Sequence, residues 1–255
     1  MIISHEYKYL FIEIPLTASW AIHHELCHYY GGVPILHKHA TYAEFRKIAN
    51  DLELNYLVFA TVRNPLDKIV SRYHKIRNDQ RGVFSNVESI DQLVVDFSDI
   101  KKYRYINENR VDFENYFQKY YKRPYSDMIN LSSKYIDVTL RFESLQNDFS
   151  KLLDTLNIKQ VRPLPVINWT RGKTRDFKPF YTPKIIDQAK YIFGLSMRKW
   201  DYQFPDSWGD YQPSWSDQLI YYCVNRAKYY YMTRLRYNNS PYAVFLRRLR
   251  GHLVR

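Results

Sequence analysis

Glycine and cysteine are scarce in this 255-residue chain, and no long apolar run interrupts it. Cys27 and Cys223 are too few to staple a fold, which sets aside disulfide-built secreted scaffolds and fits a reducing, cytoplasmic setting. Seven glycines are too few for a collagen-like or flexible low-complexity chain. The start, MIISHEYKYLFIEIP, has neither a charged segment leading into an apolar one nor a span of about eighteen apolar residues, so no secretion signal and no membrane crossing are expected. What is abundant is aromatic mass. The 25 tyrosines and 14 phenylalanines can bury enough area to offset the entropy of ordering, so the chain is expected to fold.

Acidic residues are also in deficit. The formal charge is +12, and residues 215–255 hold eight Lys and Arg against one acidic residue, so more than half of the surplus lies in the tail. Such a surplus favours an anionic partner: nucleic acid, an acidic membrane face, or a phosphorylated or acidic-sugar ligand. A solvated basic helix that only aids solubility is the plainer alternative.

Two dense apolar runs, Tyr7–Ile14 and Asn55–Val62, are each followed by proline and then a helical pattern, as interior parallel strands feeding helices would be. Between them Thr41–Asp51 reads as a helix, with Thr41 as N-cap and Glu44 completing a capping box. Residues 85–125 read as helical segments. Tyr135–Phe142 is a further strand, followed by a helix over Leu145–Leu156, a basic proline-punctuated loop over Arg162–Pro183, a helix over Pro183–Phe193 and a tyrosine-rich helical tail from Ser216. The alternation predicts an α/β fold with a central parallel sheet, a domain over 1–205 and a basic helical extension over 206–255.

The loop of FIEIPLTASWAIHHEL, residues 11–26, has the strand, tight turn and helix start that often seat phosphate, but no lysine, arginine or glycine. It is either a phosphate site without its usual charge or an ordinary strand-to-helix turn. The second strand ends in VRNPLDKIVSRYH, residues 62–74, with Arg63 where the chain leaves the sheet, Pro65 and Asp67 suited to a first helical turn, and Ser71 two turns in. An anion at the strand's carboxyl edge could meet Arg63, backbone amides and Ser71 together. Alternatively, Arg63 pairs with a carboxylate and Ser71 packs.

VRNPLDKIVSRYH resembles the 3′-phosphate-binding element of sulfotransferases that use 3′-phosphoadenosine 5′-phosphosulfate (PAPS), and IPLTASWAI sits where that family has its 5′-phosphosulfate loop. LHKHATYAEF, residues 36–45, resembles the His-x-His segment of uronyl 2-O-sulfotransferases and the Lys-His-Ala stretch of related bacterial enzymes. LRFESLQNDF, residues 140–149, and the stretch from Pro179 to Phe204 resemble the Arg-aromatic-Glu strand end and terminal helices of carbohydrate sulfotransferases.

The resemblance implies a P-loop-like three-layer α/β fold and PAPS as donor, released as 3′-phosphoadenosine 5′-phosphate (PAP), with no metal. It implies His39 as general base, helped by His37, at a pKa near neutrality, the two rings facing one side of an extended segment. Thr17, Ala18, Ser19, Trp20, Arg63 and Ser71 would hold the donor, and the acceptor would be a carbohydrate, such as a polysaccharide or glycolipid. Leu16 departs from the pattern, standing where the family places a lysine, and Trp20 and Ala21 stand where it has small hydroxyl residues. Arg171, Lys173, Arg175 and Lys178, in a late loop, are the expected substitutes.

Two other function classes stay in view. A protein that keeps the nucleotide fold without turnover would tolerate Leu16, and HELCH, residues 24–28, satisfies the zinc-hydrolase pattern H-E-x-x-H, with Glu44 as a conceivable third ligand. No nucleic-acid reading module is recognisable, so nucleic acid is not an expected partner. The basic tail could touch an anionic membrane.

Overall fold

A computed structural model describes residues 1–79, 82–85, 97–167 and 170–235. The chain divides into two compact units, one built from 1–64 and 127–169, the other from 65–126 and 170–255. The second unit takes in the helix of the tail.

The first unit carries the sheet. Its strands are β1 (Ile2–Ser4), β2 (Tyr9–Ile12), β3 (Val33–Pro34), β4 (Leu57–Val62) and β5 (Val138–Arg141), in the order β3-β1-β2-β4-β5. β2, β4 and β5 run parallel, as the apolar runs predict, with Phe11 beside Phe59 and Thr61 beside Leu140. The sheet is mixed rather than wholly parallel, because β1 and β3 add to it antiparallel. β2 and β4 are buried on both faces, which is why their sequences are unbroken apolar runs instead of alternating ones.

Tyr9, Phe11, Phe59 and Leu140 lie on one face of the sheet. They pack against Ile22 and Leu26 of α1 (Ser19–Tyr29) and against Phe149, Leu152 and Leu153 of the helix that follows β5, Leu145–Thr155. The stretch expected as a long helix after Thr41 is only α2 (Tyr42–Phe45). The Thr41 and Glu44 capping box forms, but Asn50 Oδ1 accepts from the amides of Leu52 and Glu53, and this side-chain turn displaces further helix.

The second unit is helical. It comprises α3 (Pro65–Asn78), α4 (Phe97–Glu108), α5 (Phe113–Tyr120) and, after the first unit's α6 (Leu145–Thr155), α7 (Pro183–Lys199) and α8 (Trp215–Tyr230). Residues 86–96, part of the expected helical stretch, lie outside the described residues. Its core is aromatic: Tyr73 of α3, Phe113, Tyr116 and Phe117 of α5, Tyr181 and Phe193. α7 runs six residues past the expected end at Phe193, because Ile192, Phe193 and Met197 continue one buried stripe.

His74 of α3 is 6% exposed, and its Nε2 has no hydrogen-bond partner among the described residues. Burial, with the nearby charges of Arg77 and Lys173, pushes its pKa down to about 4. The folded chain therefore binds this proton less readily than the unfolded one, whose histidine titrates near 6.5. The stability His74 contributes is complete above about pH 6.5 and is lost as pH falls towards 4, by about 3 kcal/mol in all. Urea titrations at pH 7 and pH 4.5 should show a smaller acid loss in His74→Phe than in the wild type; equal losses would mean that His74 titrates in the folded chain as it does in the unfolded one.

Candidate functional site

The parallel strands β2, β4 and β5 deliver their carboxyl ends side by side, the edge at which open α/β sheets bind ligands. Four features of the first unit meet there: the loop after β2, Arg63 after β4, Phe142 and Glu143 after β5, and the segment around His39.

The loop turns left-handed twice without a glycine, at Leu16 (φ 63°) and Ala18 (φ 59°). Each such residue costs about 1–2 kcal/mol, so neighbouring contacts must impose the shape. Thr17, fully buried between them, donates its hydroxyl to the Ile14 carbonyl at 2.8 Å and is hydrogen-bonded to the Thr61 hydroxyl of β4. Arg63 donates from Nη1 to the Leu16 carbonyl at 2.9 Å, with its guanidinium 3.9 Å from the centroid of the Phe142 ring. Glu143 accepts from the Asn64 amide at 2.8 Å, fixing the residue that precedes α3.

The Thr17 hydroxyl is thus spent on shaping the loop. What the loop presents is the start of α1, where Ala18 is the cap and the first amides, those of Ser19 and Trp20, have no partner within the helix. These donors and the positive end of the helix fit an anionic group such as a phosphosulfate.

The histidine segment is a turn closed by the Ala40 amide on the His37 carbonyl, with His39 left-handed at φ 65°. The expected extended segment with two histidines on one side is therefore corrected, and the rings take different partners. His37 has Nδ1 at 3.0 Å from the Lys38 carbonyl and Nε2 at 2.8 Å from Glu44, so neither nitrogen is left for an acceptor. His39 has Nδ1 at 2.8 Å from the Glu13 carbonyl. A carbonyl only accepts, so Nδ1 carries the hydrogen and Nε2 keeps its lone pair. Burial pushes the His39 pKa down to about 4, well below the near-neutral value expected, with the Glu13 hydrogen bond opposing the shift and the charge of Lys38 adding to it.

Lys38, beside His39 in the same turn, carries no local signal in the sequence that marks it for the site. Its ammonium lies 4.5 Å from the centroid of the Trp20 ring, on the first turn of α1. Its position depends on the turn around His39, which no glycine announces.

In the second unit, Ser71 is buried on α3, and Lys173 pairs with Asp67 of the same helix at 2.6 Å. The late loop is strapped along α3. Asn78 donates to the Arg171 carbonyl, and Gly172, at φ 71°, comes so close that a Cβ there would stand 3.2 Å from Asn78 Nδ2. Lys173 thus has a carboxylate partner already, and Arg171 and Arg175 are exposed.

H-E-x-x-H lies on α1, but its glutamate faces away from a metal site. Glu25 is buried against Arg162, with Oε1 2.6 Å from Nη2, and Glu44 is taken by Thr41 and His37. Among the described residues, no group of three or more His, Cys, Asp or Glu is placed to hold a metal ion.

The start of α1, the arginine that braces the loop before it and the histidine held through Nδ1 thus lie in one unit, at the carboxyl edge of the sheet. The sequence model of the sulfotransferase family matches residues 1–193, and the chain belongs to that family, whose reaction is sulfuryl transfer. Comparison with curated proteins and with solved structures gives no match.

Arg63→Ala should lower the stability of the ligand-free protein by about 1–3 kcal/mol, because it removes a bond to the strained loop and the cover of Phe142. An unchanged urea midpoint would show that the loop holds its shape without Arg63.

Proposed function

We infer that the protein transfers a sulfuryl group from PAPS to a carbohydrate hydroxyl. The observation that carries this reading is the single fixed tautomer of His39 in the unit that holds the loop before α1. PAPS supplies an activated sulfuryl group and departs as PAP. The amides at the start of α1 and the Ser19 hydroxyl would hold its phosphosulfate, with Trp20 alongside, in a P-loop-like arrangement, while Arg63 and Ser71 would serve the 3′-phosphate. Arg171, Lys173 and Arg175 keep their proposed place near the nucleotide, although Lys173 brings its charge already paired with Asp67.

His39 Nε2 would accept the acceptor hydroxyl's proton as its oxygen takes the sulfuryl group. His37, with both nitrogens engaged, would position the segment rather than move protons. The basic surplus supports an acidic sugar as acceptor, and two free cysteines support a reducing, cytoplasmic setting. Among the described residues, no helix is long and apolar enough to cross a membrane. A relic that binds the nucleotide without turnover is the second reading, favoured by Leu16, which puts no charge at the loop's lysine position.

Calorimetry with PAP, followed by transfer assays with PAPS and a panel of acidic oligosaccharides, tests the reading. PAP should bind, and His39→Ala should lower turnover about 100-fold or more while PAP affinity holds. Protonated imidazole accepts no proton, so turnover should persist through pH 5 and fall only as pH approaches about 4, the depressed His39 pKa. PAP binding without transfer to any acceptor would select the relic; no PAP binding would reject both.

Lys38 would supply the cation that Leu16 does not, stabilising charge on the departing phosphate. Lys38→Ala should reduce turnover by about 100-fold, the usual loss for one preorganised stabiliser, with Lys38→Arg partly active. Full activity in Lys38→Ala and loss in Lys173→Ala would move that role to the late loop.

A further inference from the structure

Helix α8 wears its apolar side outwards. Ser214 and Asp217 form a capping box at its start, and its inner side is fixed by Asn225 accepting from the Ser126 hydroxyl and Lys228 donating to the Ser126 carbonyl. Among the exposed positions of α8, 215, 218, 219, 222, 223, 226, 227 and 230 recur at three- and four-residue steps and so form one stripe, which Arg234 in the following turn extends. In that stripe Trp215 is 77% exposed, Leu219 53%, Tyr222 61% and Tyr230 51%, and they alternate with Arg226 and Arg234. No acidic residue stands in it. Asp217, the sole acid in residues 215–255, is tied up in the capping box.

We propose that this stripe is a docking surface for an anionic lipid bilayer, on which α8 lies in the plane of the headgroups. Trp and Tyr have an apolar body and a polar tip, which suits the boundary between headgroups and acyl chains. Arg226 and Arg234 stand where they meet lipid phosphates, and the surplus of eight basic residues over one acid in 215–255 gives the long-range attraction. A second copy of the chain fits poorly. A two-fold interface must be self-complementary, and this one would set arginines against arginines with no carboxylate to answer them. The inference does not rest on the sulfotransferase reading.

Flotation of the full chain with vesicles tests it, comparing mixed phosphatidylcholine and phosphatidylserine with phosphatidylcholine alone. Binding should require phosphatidylserine and weaken with added salt. Each arginine removed should weaken it about fivefold, so the double variant Arg226→Glu/Arg234→Glu should lose tenfold or more. On binding, tryptophan emission should shift to the blue, and Trp215→Phe should abolish the shift. All three side chains are exposed, so the variants should keep the wild-type melting temperature. No binding to the mixed vesicles would overturn the proposal. So would unchanged binding by the variants, which would put the contact elsewhere in the chain, or a dimer in light scattering that Trp215→Ser dissociates.

Discussion

Thr61 and Arg63, at the carboxyl end of β4, hold a loop whose backbone would not hold itself. Leu16 and Ala18 are left-handed without being glycine, and the turn persists because Thr17 is buried against Thr61 and Ile14 while Arg63 grips the Leu16 carbonyl. β4 in turn is fixed by its parallel neighbours, and β5 ends in the phenyl ring on which Arg63 rests. Each of these contacts is worth about 0.5–3 kcal/mol, the same order as the strain. The loop is thus shaped by the sheet edge, which lets it dispense with glycine.

Burial gives His39 its orientation and limits its strength by the same means. The Glu13 carbonyl fixes the tautomer and leaves Nε2 open, while removal from water keeps the ring neutral throughout the physiological range. A base of low pKa is always ready but pulls weakly on a hydroxyl proton. Sulfuryl transfer can use such a base if charge on the leaving side is well stabilised. On the proposed mechanism a cation beside the loop and a base beside the acceptor are coupled demands, and His39 and Lys38, the residues proposed for them, are neighbours in one turn.

Much of this was legible in the sequence where local signals agree. Apolar runs ending in proline mark β2 and β4, Thr41 and Glu44 mark a capping box, and the R-N-P helix start marks α3. β1 and β3 were not legible, because three and two residues are too short to show a period. α2 is shorter than its helical pattern suggests, since Asn50 competes for the backbone in a way such a pattern does not reveal. Within the site, residue types were readable but their partners were not. Thr17 reads as a ligand hydroxyl and is a buried tie, and Lys173 reads as an available cation and is paired with Asp67.

The charge missing from position 16 narrows to a question of place. A lysine in the loop would sit on the backbone that seats the anion. Lys38 instead reaches the first turn of α1 from a different segment, over Trp20, a residue that stands where the family has a small hydroxyl. A small residue at position 20 would offer no ring for the ammonium to rest on. On the proposed mechanism, proton removal and leaving-group stabilisation would both depend on one short segment, residues 37–40, closed by a single backbone hydrogen bond.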